Sequence, residues 1–187
     1  MLVTNKIYDA LNDYRLIIDC PDAVRKKIAA TKIEFDADYT GMVVAGGNPF
    51  IYLAIFSQYE SKEQLFMDEL NKLAIGYMPF KIHLKGFGAV ENTEICINVH
   101  PTESIKRLVK QIEGIQSILH LKTNGLPRIS IAQRLQGWQF AKSSKKWLEK
   151  PFNATFLVNN MLLLKRMEGF RSWQIMQHLE FQNQFVV

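Results

Sequence analysis

The sequence contains two copies of one strand–helix–strand pattern, and this repeat limits the folds open to the chain. The first copy begins with Pro-Phe-Ile-Tyr-Leu-Ala at residues 49–54, and the second with Pro-Arg-Ile-Ser-Ile-Ala at residues 127–132. Helix-forming residues follow in both copies, and a Pro-Phe pair then opens another strand, at residues 79–80 and 151–152. Two ordinary units can resemble each other by chance. If the repeat is real, it predicts two lobes related by a pseudo-twofold axis.

Polar and apolar residues alternate at the start of the second copy. Residues two apart on a strand share a face, so Arg128 and Ser130 lie together on one surface, and Ile129 faces the interior. In the first copy the equivalent surface pair is Phe50 and Tyr52. A pseudo-twofold axis would place these two pairs on either side of a shared cleft.

The rest of the chain alternates between strand and helix patterns. The apolar stripe from Ile105 to Leu119 predicts one long helix after Pro101, and Ser61 with Gln64 predicts a capping box. We expect strands over residues 14–20, 50–56, 79–85, 93–99, 128–135, 155–166 and 173–181, and helices over 22–35, 61–77 and 101–119. Residues 36–48 form a loop that can include a short strand over 42–44, and residues 139–150 form either a short basic helix or a loop. The predicted fold class is α+β: one bilobal domain over residues 1–187, with two small antiparallel sheets, outer helices and a central cleft.

Composition restricts the classes of protein that fit. The 187 residues carry a formal net charge of +5, which permits a phosphate-bearing partner without requiring one. Cys20 and Cys96 are far apart in the chain and indicate a reduced compartment, not a disulfide framework or a metal site. Apolar runs such as residues 161–164 are far too short to cross a bilayer. We therefore expect a soluble, cytoplasmic protein that needs no metal or cofactor and does not bind a membrane.

The two proline-led strands resemble those of the two-histidine phosphoesterase superfamily, particularly its bacterial 2′-5′ RNA ligase-like, or cyclic phosphodiesterase-like, branch. The late segment Asn-Met-Leu-Leu-Leu-Lys-Arg at residues 160–166 is similar to that family's "LVLLKR" strand. The resemblance covers most of the chain, from the strand at residues 14–20 onward. It implies a cleft where a His-x-Thr or His-x-Ser motif from each lobe meets a phosphodiester, such as a 2′,3′-cyclic phosphate or a 2′-5′ RNA linkage, without a metal.

This sequence departs from both motifs at the histidines. The first motif falls on Phe50-Ile51-Tyr52 and the second on Arg128-Ile129-Ser130. Phenylalanine carries no exchangeable proton, and arginine stays protonated at physiological pH. Each lost acid or base group typically costs roughly 10² to 10⁴ in rate. The resemblance therefore implies a non-catalytic relative of 2′,3′-cyclic phosphodiesterases and 2′-5′ RNA ligases.

Such a protein would still bind RNA or a nucleotide through the four candidate residues of the two motifs. The Arg128 guanidinium matches phosphate oxygens in two-point geometry, and Ser130 supplies a hydrogen bond beside it. Phe50 and Tyr52 would give an aromatic floor on which a base stacks. Alternatively, Phe50 fills the cleft and belongs to the core.

Two other functions remain open from the sequence. The chain could be an active phosphoesterase with relocated groups, and His83 is then the best candidate, although no histidine has a metal-ligand or catalytic partner at suitable sequence spacing. It could also be a scaffold or protein-interaction module with a filled cleft. The basic segment Lys142–Lys150, with Trp138 and Trp147, would either track a nucleic-acid backbone or form the solvated face of a helix.

Overall fold

The computed structural model describes residues 9–39, 44, 49–100, 103–122 and 127–184. In chain order the elements are β1 (Leu11–Asp19), α1 (Asp22–Asp38), β2 (Phe50–Tyr59), a 3-10 turn (Glu60–Lys62), α2 (Glu63–Gly76), β3 (Phe80–Val90), β4 (Glu94–His100), α3 (Glu103–Glu113), β5 (Leu119–Lys122), β6 (Arg128–Ala132), α4 (Gly137–Trp147), β7 (Asn153–Val158), β8 (Asn160–Arg166) and β9 (Gln174–Glu180). None of the helices in these ranges is long and apolar enough to cross a membrane.

The strands form two antiparallel sheets. Each sheet contains one strand from the half of the chain that forms most of the other sheet. The five-stranded sheet has the order β5-β2-β1-β8-β9, and the four-stranded sheet has the order β6-β4-β3-β7. β3 follows β2 and α2 in sequence but pairs with β4 and β7 in the four-stranded sheet. β8 follows β7 but pairs with β1 and β9 in the five-stranded sheet.

The order of elements confirms the internal repeat and the α+β bilobal fold. β1 pairs with β2, and β4 pairs with β6 in the same antiparallel way. α2 contacts the five-stranded sheet through β9, and α4 contacts the four-stranded sheet through β4. α1 and α3 each contact a strand of the other sheet. α1 follows β1 of the five-stranded sheet and contacts β6 of the four-stranded sheet, and α3 follows β4 of the four-stranded sheet and contacts β2 of the five-stranded sheet. By their positions in the sheets, the equivalent units are β1-α1-β2-α2-β3 and β4-α3-β6-α4-β8, because β3 and β8 each cross to the other sheet and pair with β4 and β1. β5 and β7 are additions, so the Pro-Phe pair that precedes β7 is not equivalent to the pair at the start of β3.

Each sheet has one face covered by helices and one face without them, called here the open face. On the five-stranded sheet, the ring of Tyr14 packs on Phe66 of α2 with 4.8 Å between centroids, so its neighbour Arg15 lies on the open face. On the four-stranded sheet, Phe87 packs on Trp147 of α4 with 5.3 Å between centroids. The helix-covered faces hold the core, and the candidate residues lie on the open faces.

The expected single strand over residues 155–166 is in fact two strands in different sheets. β7 ends at Val158 and β8 begins at Asn160. The carbonyl of Asn159, between them, accepts a hydrogen bond from the amide of Phe181 at 2.8 Å. The sequence shows continuous alternation here, and it does not show that the chain passes from one sheet to the other.

Three further local expectations need correction or lie outside the described ranges. α3 ends at Glu113, where Gly114 follows, so Ile118 is buried beyond the helix. Ser61 does not cap α2: its hydroxyl donates to Asp9 Oδ2 at 2.6 Å, and the helix begins at Glu63. The short strand considered over residues 42–44 falls mostly outside the described residues, and Val44 itself forms an isolated bridge to Ala132.

Shortening a side chain to alanine should destabilise the protein by different amounts on the two faces of β2. Ile51 is fully buried under helices, whereas Ile55 is half-buried on the open face. Ile51→Ala should lower the free energy of unfolding by about 2–5 kcal/mol, as expected for a buried isoleucine that leaves a cavity. Ile55→Ala, the matched control on the same strand, should cost less than half as much. Urea unfolding of both variants measures this, and equal losses would contradict the assignment of the faces.

Candidate functional site

The strands that carry the two candidate pairs lie next to each other although they belong to different sheets. β2 and β6 are in contact, with β2 inside the five-stranded sheet and β6 at the edge of the four-stranded sheet. Phe50, Tyr52, Arg128 and Ser130 are each half-buried. The residues between them, at positions 51 and 129, are fully buried. Both pairs therefore lie on open faces, at the place where the two sheets meet.

A carboxylate already occupies the position beside Arg128 and Ser130. Arg128 Nε lies 3.3 Å from each oxygen of Glu94, and the Ser130 hydroxyl donates a hydrogen bond to Oε1 of the same carboxylate. The side chain of Glu94 is only 14% exposed, so solvent screens this ion pair little. An anionic ligand must compete with Glu94 for the guanidinium.

The register between β4 and β6 brings Glu94 to this position. Cys96 pairs with Ser130 and Asn98 pairs with Arg128, and the register shifts at Ile95. Residues two apart share a face, so Glu94 lies on the same side as Cys96 and Asn98. The alternation of residues 93–99 indicates that shared face, but the sequence does not reveal which residues of another strand lie opposite it.

A cavity of about 430 Å³ adjoins Arg128 on the open face of the four-stranded sheet, and its lining includes Asn98 and His100. Cys96 also lines it. Burial, and to a smaller extent the charge of Glu94, raises the pKa of the Cys96 thiol to about 11. The thiol is therefore protonated at neutral pH and is not an activated nucleophile.

Phe50 and Tyr52 join a small apolar cluster on the open face of the five-stranded sheet. Their rings meet edge to face with centroids 6.5 Å apart. They pack against buried side chains of the sheet, Ile17, Leu162 and Leu164. Both residues are only half-buried, so this surface combines apolar support from the sheet with partly accessible aromatic residues.

Two further arginines, Arg15 and Arg166, lie on the same open face, and the sequence analysis did not identify them as candidate residues. The guanidinium carbon of Arg15 lies 3.9 Å from the centroid of the Trp173 ring and 5.5 Å from that of Tyr52. The guanidinium carbon of Arg166 lies 4.8 Å from the Trp173 centroid. Arg166 also donates to Asp13 Oδ2 at 2.6 Å. Burial raises the pKa of Asp13, but hydrogen bonds from Arg166 and Ser57 outweigh it and hold that pKa below its usual value.

Two histidines face each other across neighbouring strands. His83 of β3 pairs with His100 of β4, and His83 Nδ1 lies 3.1 Å from the hydroxyl oxygen of Thr155. His100 lies on the open face with Arg128, because residues 98 and 100 of one strand share a side. This proximity comes from strand pairing and is invisible in sequence spacing. No cluster of three or more potential metal ligands occurs among the residues that the structure describes.

The basic segment Lys142–Lys150 lies away from the candidate residues. Trp147 is fully buried against Phe87 on the helix-covered face of the four-stranded sheet, so it is not available to stack on a base. Lys146 pairs with Asp38 at 2.7 Å, and Lys150 pairs with Glu34. The interpretation of this segment as the outer face of a helix fits these contacts better than a nucleic-acid track.

Comparison with known proteins identifies the fold. No protein-family model and no curated protein matches the sequence. Solved structures match over nearly the whole chain. TT0787 of Thermus thermophilus has a TM-score of 0.71 at 15% identity, covering 92% of this chain and 100% of that one. E. coli LigT complexed with NADP⁺ has a TM-score of 0.68 at 17% identity, covering 92% and 99%.

A structure described as a phosphoesterase matches in the same way, with a TM-score of 0.65 at 17% identity, covering 93% of this chain and 99% of that one. These identities are low, so the likeness concerns the arrangement of the backbone. It agrees with the resemblance carried by the two proline-led strands and the segment at residues 160–166. The chain has the fold shared by LigT, TT0787 and this phosphoesterase.

Proposed function

We propose that this chain is a non-catalytic member of the 2′-5′ RNA ligase-like group, acting in the cytoplasm as one domain over residues 1–187. In this proposal it binds a phosphate-bearing ligand, RNA or a nucleotide, where β2 and β6 meet. The observation that carries it is the adjacency of these strands, which present Phe50, Tyr52, Arg128 and Ser130 instead of two histidines.

The ligands of proteins with the same fold support the choice of ligand class. E. coli LigT has been crystallised with NADP⁺, 3′-AMP, ATP and phosphate. Every one of these ligands carries a phosphate group. Arg128 and Ser130 offer a charged donor and a hydroxyl for such a group.

The absence of catalysis follows from the chemistry of the replacing side chains. Phe50 can neither take nor give a proton. Arginine stays protonated at any physiological pH, and Arg128 is held in an ion pair with Glu94. Neither side chain can replace a histidine that accepts a proton in one step and donates it in another.

Glu94 sets the affinity of this site for anions. Its carboxylate accepts hydrogen bonds from both Arg128 and Ser130, the groups proposed to hold the phosphate. Ligand binding therefore requires Glu94 to move or the ligand to approach a guanidinium that is already partly neutralised. We expect weak binding by the wild-type protein, because the two anions repel each other.

Substituting Glu94 tests this competition. Glu94→Gln should strengthen binding of a mononucleotide roughly tenfold (~1.4 kcal/mol), because it removes the like charge while keeping the side-chain shape. Arg128→Ala should weaken binding about tenfold to a hundredfold, the cost of losing a hydrogen bond to a charged group. Ser130→Ala should cost less. Isothermal titration calorimetry at low and high salt measures all three.

Glu91→Gln is the matched control, since it makes the same charge change three residues away in the exposed turn between β3 and β4. Its affinity should stay within about twofold of the wild type, because an exposed charge is screened by salt. Unchanged affinity in both Glu94→Gln and Arg128→Ala would place the phosphate elsewhere. Failure of every variant to bind would favour a protein-interaction role.

Enzyme assays test the proposed lack of catalysis. The purified protein should not hydrolyse 2′,3′-cyclic nucleotides, or join or cleave 2′-5′ linkages, above the buffer background. Turnover near 1 s⁻¹, in the ordinary range for enzymes, would refute the proposal.

The His83–His100 pair supports one competing function, a phosphoesterase with relocated histidines. Both side chains are exposed, and His100 lines the cavity beside Arg128. If turnover is found, His83→Ala and His100→Ala should each abolish it under this second proposal, and His178→Ala, a change in β9 of the other sheet, should leave it intact. Turnover that survives both substitutions would exclude the pair as the catalytic groups.

A further inference from the structure

We propose that the open face of the five-stranded sheet carries a second anion site, formed by Arg15, Lys122 and Arg166 around Trp173. The site binds the phosphate group of a small phosphorylated molecule. Tyr52 belongs to both surfaces, but this proposal does not depend on Arg128 or Ser130, so variants at those positions separate it from the function proposed above.

Strand pairing brings the cationic residues into one region of the sheet. Arg15 on β1 pairs with Ile55 on β2, and Ile55 pairs with Lys122 on β5. Antiparallel partners share a face, so Arg15 and Lys122 lie on either side of Ile55. In the next row Asp13 pairs with Arg166 on β8. Four strands thus contribute to one surface.

The ring of Trp173 holds two guanidinium groups close together. The Arg15 and Arg166 guanidinium carbons lie 3.9 Å and 4.8 Å from its centroid. Tyr52 adds a second ring 5.5 Å from Arg15. Stacking on aromatic faces stabilises each guanidinium and fixes its direction. It does not remove the repulsion between the two positive charges.

Asp13 is the one carboxylate among the residues that line this region, against three cationic side chains, and its charge interacts with Arg15 as well as with Arg166. Asp13 accepts hydrogen bonds from Arg166 at 2.6 Å and from the Ser57 hydroxyl at 2.7 Å. Within the described part of the chain, Arg15 makes no ion pair, and its Nε is enclosed without a hydrogen-bond partner. Enclosed donors in folded proteins usually have partners, so a donor of Arg15 without an acceptor among the described residues supports an anion at this position.

The space next to these groups is large enough for a ligand. A cavity of about 400 Å³ is lined by Arg15, Lys122, Arg166 and Trp173, and His120 is also among its lining residues. This volume lies within the range of small-molecule sites. The contrast with the other sheet is direct: Glu94 neutralises Arg128 from within the chain, whereas three cations line this cavity together with the carboxylate of Asp13.

Calorimetric titration with inorganic phosphate, a mononucleotide and a short single-stranded oligonucleotide tests the site. Arg15→Gln should weaken phosphate binding about tenfold to a hundredfold. Lys122→Gln, on an exposed position of β5, should weaken it several-fold. Arg107→Gln is the matched control, because it removes the same charge from the exposed surface of α3, and its affinity should stay within about twofold of the wild type.

The outcomes separate this site from the one at Arg128. Binding that is lost in Arg15→Gln and retained in Arg128→Gln supports the second site, and the reverse pattern overturns it while leaving the first proposal intact. If Arg15→Gln does not fold, Lys122→Gln and Arg15→Lys decide, since lysine keeps the charge but loses the two-point geometry. Unchanged affinity in both of these, no phosphate binding at millimolar concentration, or binding of the oligonucleotide alone would overturn the proposal.

Discussion

The exchange of strands between the sheets is the constraint on which the rest of the structure depends. β3 completes the four-stranded sheet and β8 completes the five-stranded sheet, and each comes from the half of the chain that forms mainly the other sheet. Main-chain hydrogen bonds therefore tie the two lobes together. The contact between β2 and β6, and with it the position of Arg128 relative to Phe50, is fixed by these pairings and not by a flexible hinge.

The positively charged side chains on the two open faces have different neighbours. On the four-stranded sheet, the nearly enclosed Glu94 holds both Arg128 and Ser130. On the five-stranded sheet, aromatic stacking orients Arg15 and Arg166 beside Trp173. Stacking organises a guanidinium without neutralising it, whereas a carboxylate does both. A guanidinium paired with a carboxylate is therefore less available to an external anion than a guanidinium that is only stacked on a ring.

The sequence predicts what depends on short spacing and misses what depends on pairing between distant strands. The burial of Ile51 and Ile129 and the repeat that contains them follow from alternation over a few residues. The position of Glu94 beside Ser130 depends on the register between β4 and β6, including an irregularity that no local pattern shows. The stacking of Arg15 on Trp173 joins residues from opposite ends of the chain.

Local expectations failed where one residue changed the course of the backbone. The apolar stripe continues past Glu113, but the helix stops before Gly114, and Ile118 is buried from outside it. The alternation over residues 155–166 is real in both strands, yet Asn159 separates two sheets. The sequence leaves a nucleic-acid track and a solvated helix face open for the basic segment around Trp147, and the burial of Trp147 shows that its ring faces the core.

The order in which the strands are synthesised has a consequence for how this fold assembles. All four strands of the four-stranded sheet precede β8 in the chain, so that sheet can close while synthesis continues. Among the strands that the structure describes, β1 is made first, but one of its two edges has no partner until β8 emerges. An unpaired edge is a template for association with other chains, and long-range pairing is slow. During translation, the five-stranded sheet is thus the part of the nascent protein that most needs protection from aggregation.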